Sequence, residues 1–265
     1  VRSMLGLDSE DEYPAIRRAC EAIGEKAAAG NQIFPGWMPT SANRQYESAR
    51  EDLDKAIENI ISAHKRGEGR DDTLLTTLME AEADDGHQMY DDVLRNELIA
   101  LLFAGHETTA LSLTYTWFLL SKNPDKRAAL AAEVDETLGD ETVSPAHAPQ
   151  LTYTENVINE SMRVLCPAHS IFRRPREPVT VDGYEISEGS AIFLPIWLLH
   201  HDEQYYDDPM EFRPERWEDG LEQDLPKYAY IPFGAGPHRC TGEMFAKMEL
   251  RLIIPTLMQA CELEL

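Results

Sequence analysis

The sequence predicts a mainly α fold with a small antiparallel β-sheet. Three observations point there. Apolar residues recur at helical spacing over most of the 265 residues. Short β-branched and aromatic runs with turn signals between them are confined to one region, from Val179 to Trp197. Hydrophobic residues make up 43% and charged residues 27%, a composition that fills a core and is not that of a disordered chain.

Each element follows from local chemistry. Helical periodicity runs from Tyr13 to Ala29 and from Asn43 to Arg66, with "FPGWMP" (Phe34 to Pro39) as the loop between them. "KRGEGRDD" from Lys65 is a polar hinge, and a helix over Thr73–Ala81 follows it. The longest pattern runs from Met89 to Ser121 and stops at Asn123-Pro124, because proline disfavours helix in the residue before it. Further helices are predicted over Asp125–Leu138 and over Thr154–Leu165, the latter ending before Pro167. "VTVDGYEI" places two strand-like runs around Asp182-Gly183, a hairpin signal, and "SAIFLPIW" reads as another strand after the Glu188-Gly189 turn. The stretch Tyr205–Pro232 is aromatic and proline-rich without clear period, and a last helix starts near Gly242, with Pro255 inside it.

Charge excludes several partners. With 24 Lys+Arg against 48 Asp+Glu the formal net charge is −24. So acidic a surface repels nucleic-acid phosphates and anionic lipid, and neither is expected as a partner. It also suits concentrated salt, where carboxylate repulsion is screened, so a halophilic and specifically haloarchaeal source is expected, with an ordinary acidic cytosolic protein as the alternative. Glu97–Leu120 is the one long apolar run, but His106 and Glu107 at its middle argue for a helix buried in protein, and no membrane span is expected. No signal peptide is visible at the start. The cysteines, Cys20, Cys166, Cys240 and Cys261, form no C-x-x-C pair, so a zinc ribbon is excluded, and their wide spacing fits a reducing cytoplasm.

One cysteine stands apart. In "FGAGPHRCTG" (Phe233 to Gly242), Cys240 follows a glycine-rich loop and precedes a helical run. Gly234, Gly236 and Gly242 permit positive φ or close approach to a flat object. A helix N-terminus and the neighbouring His238 and Arg239 favour a thiolate. Three uses fit: an inert thiol in a turn, an activated nucleophile, or a single ligand to a metal whose other positions are already filled, as in a haem. Upstream, "AGHETT" (Ala104 to Thr109) places Gly105, Glu107 and Thr108 in the long helix. A threonine there can bond back to a carbonyl one turn earlier and open the helix, and an acid-hydroxyl pair can relay protons. A satisfied polar cluster in a buried helix explains the same residues. "ESMR" puts Glu160 and Arg163 three apart on one helix face, and "FRPERW" (Phe212 to Trp217) supplies Arg216.

Taken together and in this order, the four segments resemble the cytochrome P-450 family, most strongly from Val93 onward. The resemblance implies that fold, with the family's N-terminal part and its final hairpin not represented. It implies a single domain over residues 1–265: residues 1–88 as the helices preceding the oxygen-binding helix and residues 89–265 as the haem-binding core. It also implies the cofactor, haem b (iron protoporphyrin IX). Cys240 would be the iron ligand with Phe233 packed beside it, His238 would meet one haem propionate and Arg173, with Arg174 as its neighbouring alternative, the other. Gly105, Gly234 and Gly242 would make room for the haem. Glu107 and Thr108 would carry protons to the site of oxygen activation. Glu160, Arg163 and Arg216 would form a buried structural triad. The activity implied is insertion of one oxygen atom of O2 into a small apolar substrate, with electrons from a separate ferredoxin or flavodoxin-like donor, since no G-x-G-x-x-G motif is present. The rival expectations are a peroxide-using or peroxide-rearranging haem-thiolate enzyme and an inactive truncated remnant.

Overall fold

A computed structural model of the chain describes residues 13–28, 38, 40–68, 72–85, 91–218 and 220–261. These residues group into two compact units, Val1–Glu107 and Thr108–Leu265.

The first unit is helical. Helix α1 spans Tyr13–Ala28, α2 Ser41–Lys65 and α3 Leu74–Asp85, and α4, Asp91–Lys122, begins here and ends in the second unit. Thr40 caps α2 by accepting the Asn43 N–H, and the Asn43 side chain donates to the Met38 carbonyl, so the start of the helix is held from both sides. Leu53, Ala56, Ile57, Ile60 and Ile61 lie three or four apart on α2, and this stripe is its buried face. Leu53, Ile57, Ile60 and Ile61 share a core with Ile16, Leu75, Leu94 and Leu98. Most of the "FPGWMP" loop and the first residues of the long helical pattern, Met89 and Tyr90, lie outside the described residues.

In the second unit, α5 spans Pro124–Leu138 and α6 Thr152–Val164. Strands follow: β1 (Ile171–Arg173), β2 (Val179–Val181), β3 (Tyr184–Ile186) and β4 (Ile192–Leu194). Then come α7 (Ile196–His200), a 3-10 turn at Pro214–Trp217, α8 (Leu221–Asp224) and α9 (Glu243–Ala260). The strands form two antiparallel pairs. In β2–β3, Val181 faces Tyr184 across Asp182 and Gly183. Both turn residues have positive φ, 48° and 81°, the conformation an Asp-Gly hairpin needs. In β1–β4, Phe172 pairs with Phe193 and their rings lie 5.1 Å apart.

The expected sheet is therefore present as two ribbons, with one correction. "SAIFLPIW" is strand only over Ile192–Leu194, and after Pro195 the chain turns into α7. The core of this unit joins Leu119 and Leu120 of α4, Leu130 of α5, Val157, Ile158 and Met162 of α6, and Leu250 and Ile254 of α9. Pro255 is buried inside α9, which continues through it to Ala260.

Helix α4 carries buried hydroxyls that stay satisfied. Ser112 donates to the Thr108 carbonyl at 3.0 Å and Thr116 to the Ser112 carbonyl at 2.8 Å, each one turn back. Helical structure runs unbroken from Asp91 to Lys122. No helix among the described residues is long and apolar enough to cross a membrane.

Candidate functional site

The glycine loop is built by a few backbone bonds. The Ile231 carbonyl accepts the Gly234 N–H at 2.9 Å, and Gly234 takes φ 73°. A side chain on Gly234 would stand 3.6 Å from Ile171 Cδ1 and 3.7 Å from the His238 carbonyl, besides being strained by that φ. Gly236–His238 forms a 3-10 turn, entered through Gly236 at φ 68°. The Cys240 N–H then returns to the Phe233 carbonyl at 2.9 Å and closes the loop.

Cys240 emerges from this loop exposed, two residues before Gly242, which caps α9. A Cβ on Gly242 would lie 3.9 Å from Cys240 Sγ, so glycine keeps that side of the sulfur clear. The first-turn amides of α9 have no carbonyl a turn earlier to donate to, and they favour an anion near the helix start. Phe233 is half-buried against the core of the second unit, with Lys247 Nζ 5.7 Å from its ring centre.

The neighbouring charges differ from the sequence expectation. Arg239 does not stand free beside the sulfur. Its Nε donates to Glu243 Oε2 at 2.6 Å, and Lys247 lies 3.4 Å from the same carboxylate. The Arg239 hydrogen bond holds the Glu243 carboxyl below the usual carboxylate range, with Lys247 and Arg239 charge adding to the effect. Arg239 is therefore largely neutralised by a residue of the first helical turn. His238 is exposed. Arg173 and Arg174 are exposed in and just after β1, and Arg173 donates to the Phe172 carbonyl at 2.9 Å.

The other cysteines occupy different settings. Cys166 is buried, its thiol donating weakly to the Ala168 and Pro232 carbonyls, and burial pushes its pKa up to about 11. Cys20 is half-buried in the first unit and also raised, by burial and then by the Glu107 charge. Cys261 ends α9 and donates to the Leu257 carbonyl.

Glu107 is exposed on α4, its carboxylate 3.9 Å from where a Cβ on Gly24 of α1 would sit. A Cβ on Gly105 would meet nothing within 4 Å. Thr108, the next residue after Glu107, is exposed and lends its carbonyl to Ser112.

The structure brings Glu160, Arg163 and Arg216 together. Arg163 meets Glu160 in a two-pronged pair at 2.9 Å each, and Arg216 Nε joins Glu160 Oε1 at 2.8 Å. Two donors that sequence reasoning missed complete the carboxylate: the Arg213 N–H and Trp217 Nε1, both at 2.9 Å. Arg163, fully buried, also donates to the carbonyls of His200, Pro209 and Glu211. Its guanidinium lies 5.1 Å from the Tyr206 ring centre. Such saturation is what lets a buried ion pair persist. Trp217 stands directly after Arg216 in "FRPERW", but nothing in that string marks its indole as a donor to a residue 57 positions earlier.

The sequence matches the family model described as "Cytochrome P450" over residues 7–265. Among curated relatives, "Cyclooctatin synthase" of Streptomyces melanosporofaciens is 34% identical over 97% of this chain and 57% of its own length. "Cyclooctat-9-en-7-ol 5-monooxygenase" of the same organism is 32% identical over 83% and 48%. "Bifunctional cytochrome P450/NADPH--P450 reductase ALT2" of Alternaria alternata is 31% identical over 86% and 21%. The chain spans about half the length of the two Streptomyces relatives it matches.

Proposed function

Because the chain belongs to the cytochrome P450 family, we propose that the protein carrying it is a haem-thiolate monooxygenase placing one atom of O2 into a small apolar substrate. The observation that carries this reading is the setting of Cys240: an exposed sulfur on a glycine loop, just ahead of a long helix, with Gly242 keeping one side clear. No group of three His, Cys, Asp or Glu side chains among the described residues can hold a metal ion. A metal at Cys240 would then take its remaining ligands from a prosthetic group, and haem b (iron protoporphyrin IX) is the one proposed. When bound, the haem supplies the redox chemistry that divides O2 between product and water.

The residues of this chain do the rest. Cys240 would hold the metal as thiolate, with Phe233 packed beside it. His238 and Arg173, both exposed, would donate to the haem's carboxylates, Arg173 by exchanging its present bond to the Phe172 carbonyl. Gly105 and Gly234 are the glycines that would make room for the haem. Exposed Glu107 takes protons from solvent, and the Thr108 hydroxyl hands them on. Glu160, Arg163 and Arg216 hold the segment that precedes the loop.

Electrons would arrive from a separate ferredoxin or flavodoxin-like donor. The name of the Alternaria relative joins a cytochrome P450 to a reductase. A cytoplasmic location and a halophilic source belong to the same reading. They are supported by four unpaired cysteines and by the net charge of −24.

The test is the absorption spectrum of the full-length protein, reduced and exposed to carbon monoxide. The expected result is the strongly red-shifted band of a thiolate-ligated haem, abolished in Cys240→Ala. A wild-type protein without that band, or an alanine variant that keeps it, would overturn the reading.

A further inference from the structure

Outside the cysteine loop, His200 at the end of α7 is fully buried. Its Nε2 lies 3.0 Å from the backbone nitrogen of Ile231, which has only an N–H to offer. Nε2 must therefore be the unprotonated nitrogen, and the ring proton sits on Nδ1. Nδ1 is buried and makes no hydrogen bond. The ring is tilted against Tyr230, 5.3 Å between centres. The backbone of the same residue is fixed from the other side, because its carbonyl accepts Arg163 Nη1 at 2.9 Å.

Hydrogen bonds then run without a break toward the cysteine. Arg163, locked by Glu160, holds the His200 carbonyl, and the His200 ring holds the Ile231 amide. The Ile231 carbonyl holds the Gly234 amide, and the Phe233 carbonyl holds the Cys240 amide. Between Tyr230 and Cys240 the only regular structure is the 3-10 turn at Gly236–His238. A segment like this is kept in place by individual contacts: Phe233 packs on the core, the Pro232 carbonyl accepts weakly from Cys166, and His200 holds the Ile231 amide.

We propose that His200 is a positioning residue: by accepting the Ile231 amide it transmits the fixed geometry of the Glu160–Arg163 pair to the loop that presents the Cys240 sulfur. The inference rests on the haem-thiolate reading in one respect, namely that the sulfur so presented is a ligand. A ligand sulfur gains from a fixed direction, because partners beyond the ligand itself orient it and tune the metal.

Three variants of the full-length protein as purified test this. The glutamine side chain in His200→Gln reaches about as far as Nε2 and offers an oxygen to the Ile231 amide. His200→Asn is too short, and His200→Phe keeps a ring but has no acceptor. Two readouts are taken: residue-resolved amide hydrogen exchange, and the carbon monoxide difference spectrum. In the Asn and Phe variants the Ile231 and Cys240 amides should exchange about tenfold faster, the scale of one lost hydrogen bond. Leu130 and Val134 amides in α5 should stay unchanged, and part of the spectrum should move from the thiolate to the thiol position. The glutamine variant should remain within about twofold of wild type, roughly a quarter of a bond's worth of free energy.

Equal behaviour of Gln, Asn and Phe variants would overturn the proposal, as would a change at Ile231 that does not reach Cys240. Should the Phe variant fail to fold, the Asn–Gln contrast decides alone. A wild-type spectrum without the red-shifted band would remove the haem reading, and the exchange pattern would then settle the relay by itself.

Discussion

His200 makes the interior of the second unit sensitive to acid. Burial, and then the charges of Arg163 and His201, lower its pKa from 6.5 to about 4. The unfolded chain binds this proton near 6.5 and the folded chain only near 4, so between those values the unfolded state holds more protons. Stability associated with the neutral ring is complete above pH 6.5 and is lost as pH falls toward 4, by up to about 3 kcal/mol. Urea unfolding at pH 7, 5.5 and 4.5 checks this: wild type should lose more stability across the series than His200→Gln, whose side chain does not titrate. Equal losses would show that the carboxylates alone govern the acid limb. At this scale the sequence disclosed residues whose chemistry is carried by a short string. Cys240 with its glycines, and Glu160 with Arg163, could be read because spacing alone brings them together. His200 could not: "LHHD" holds two histidines, and only the fold decides that His200 turns inward while His201 stacks on Trp197, 4.2 Å between ring centres. Arg239 was legible as a neighbour of the sulfur, but not as a partner of Glu243.

Among the elements, α6 shows how a helix lacking its own cap is started by another. Leu151 precedes it and offers no side-chain acceptor. Glu133 of α5 replaces one: its carboxylate accepts the Tyr153 N–H at 2.5 Å and the N–H and hydroxyl of Thr154 at 2.7 Å each. Thr154 is fully buried, so water cannot take over. Glu133→Ala should therefore destabilise by about 2–3 kcal/mol, a lost cap plus buried donors left unpaired. The expected sign is a lower urea midpoint with an unchanged slope. A midpoint shift worth less than about 0.5 kcal/mol, the lower bound for a cap, would mean that α6 starts without help. The longer helices were legible, because α2, α5 and α6 carry a clear period, and their ends fall within two residues of expectation, whereas α7 and α8 were not expected. Short apolar runs were harder. Three residues of β4 and five of α7 are too few to display a period, and β1 is a strand only because Ile192–Leu194 lies opposite it. The Asp-Gly hairpin was readable because two residues dictate its geometry.

At the scale of the whole molecule, a net charge of −24 opposes the compact state by self-repulsion. Surface ion pairs such as Arg17–Glu21 and Arg66–Glu68 are more than half exposed and offset little of it. The thermal midpoint should rise by several degrees between 0.1 and 1 M potassium chloride, as the screening length falls from about 10 Å to about 3 Å, and flatten above that. A midpoint that climbs only beyond 1 M would point to salt acting on apolar surface instead. The Glu160 carboxylate has a consequence of another kind, for the order of manufacture. Three of its donors stand 53, 56 and 57 residues further along the chain, on Arg213, Arg216 and Trp217. While a ribosome is still making that stretch, α6 is already complete and Glu160 can meet Arg163, but its second cation, Arg216, and two neutral donors are still to come. The carboxylate at the centre of the second unit is therefore completed only once Trp217 has been made, and a nascent chain halted earlier leaves it short of three donors.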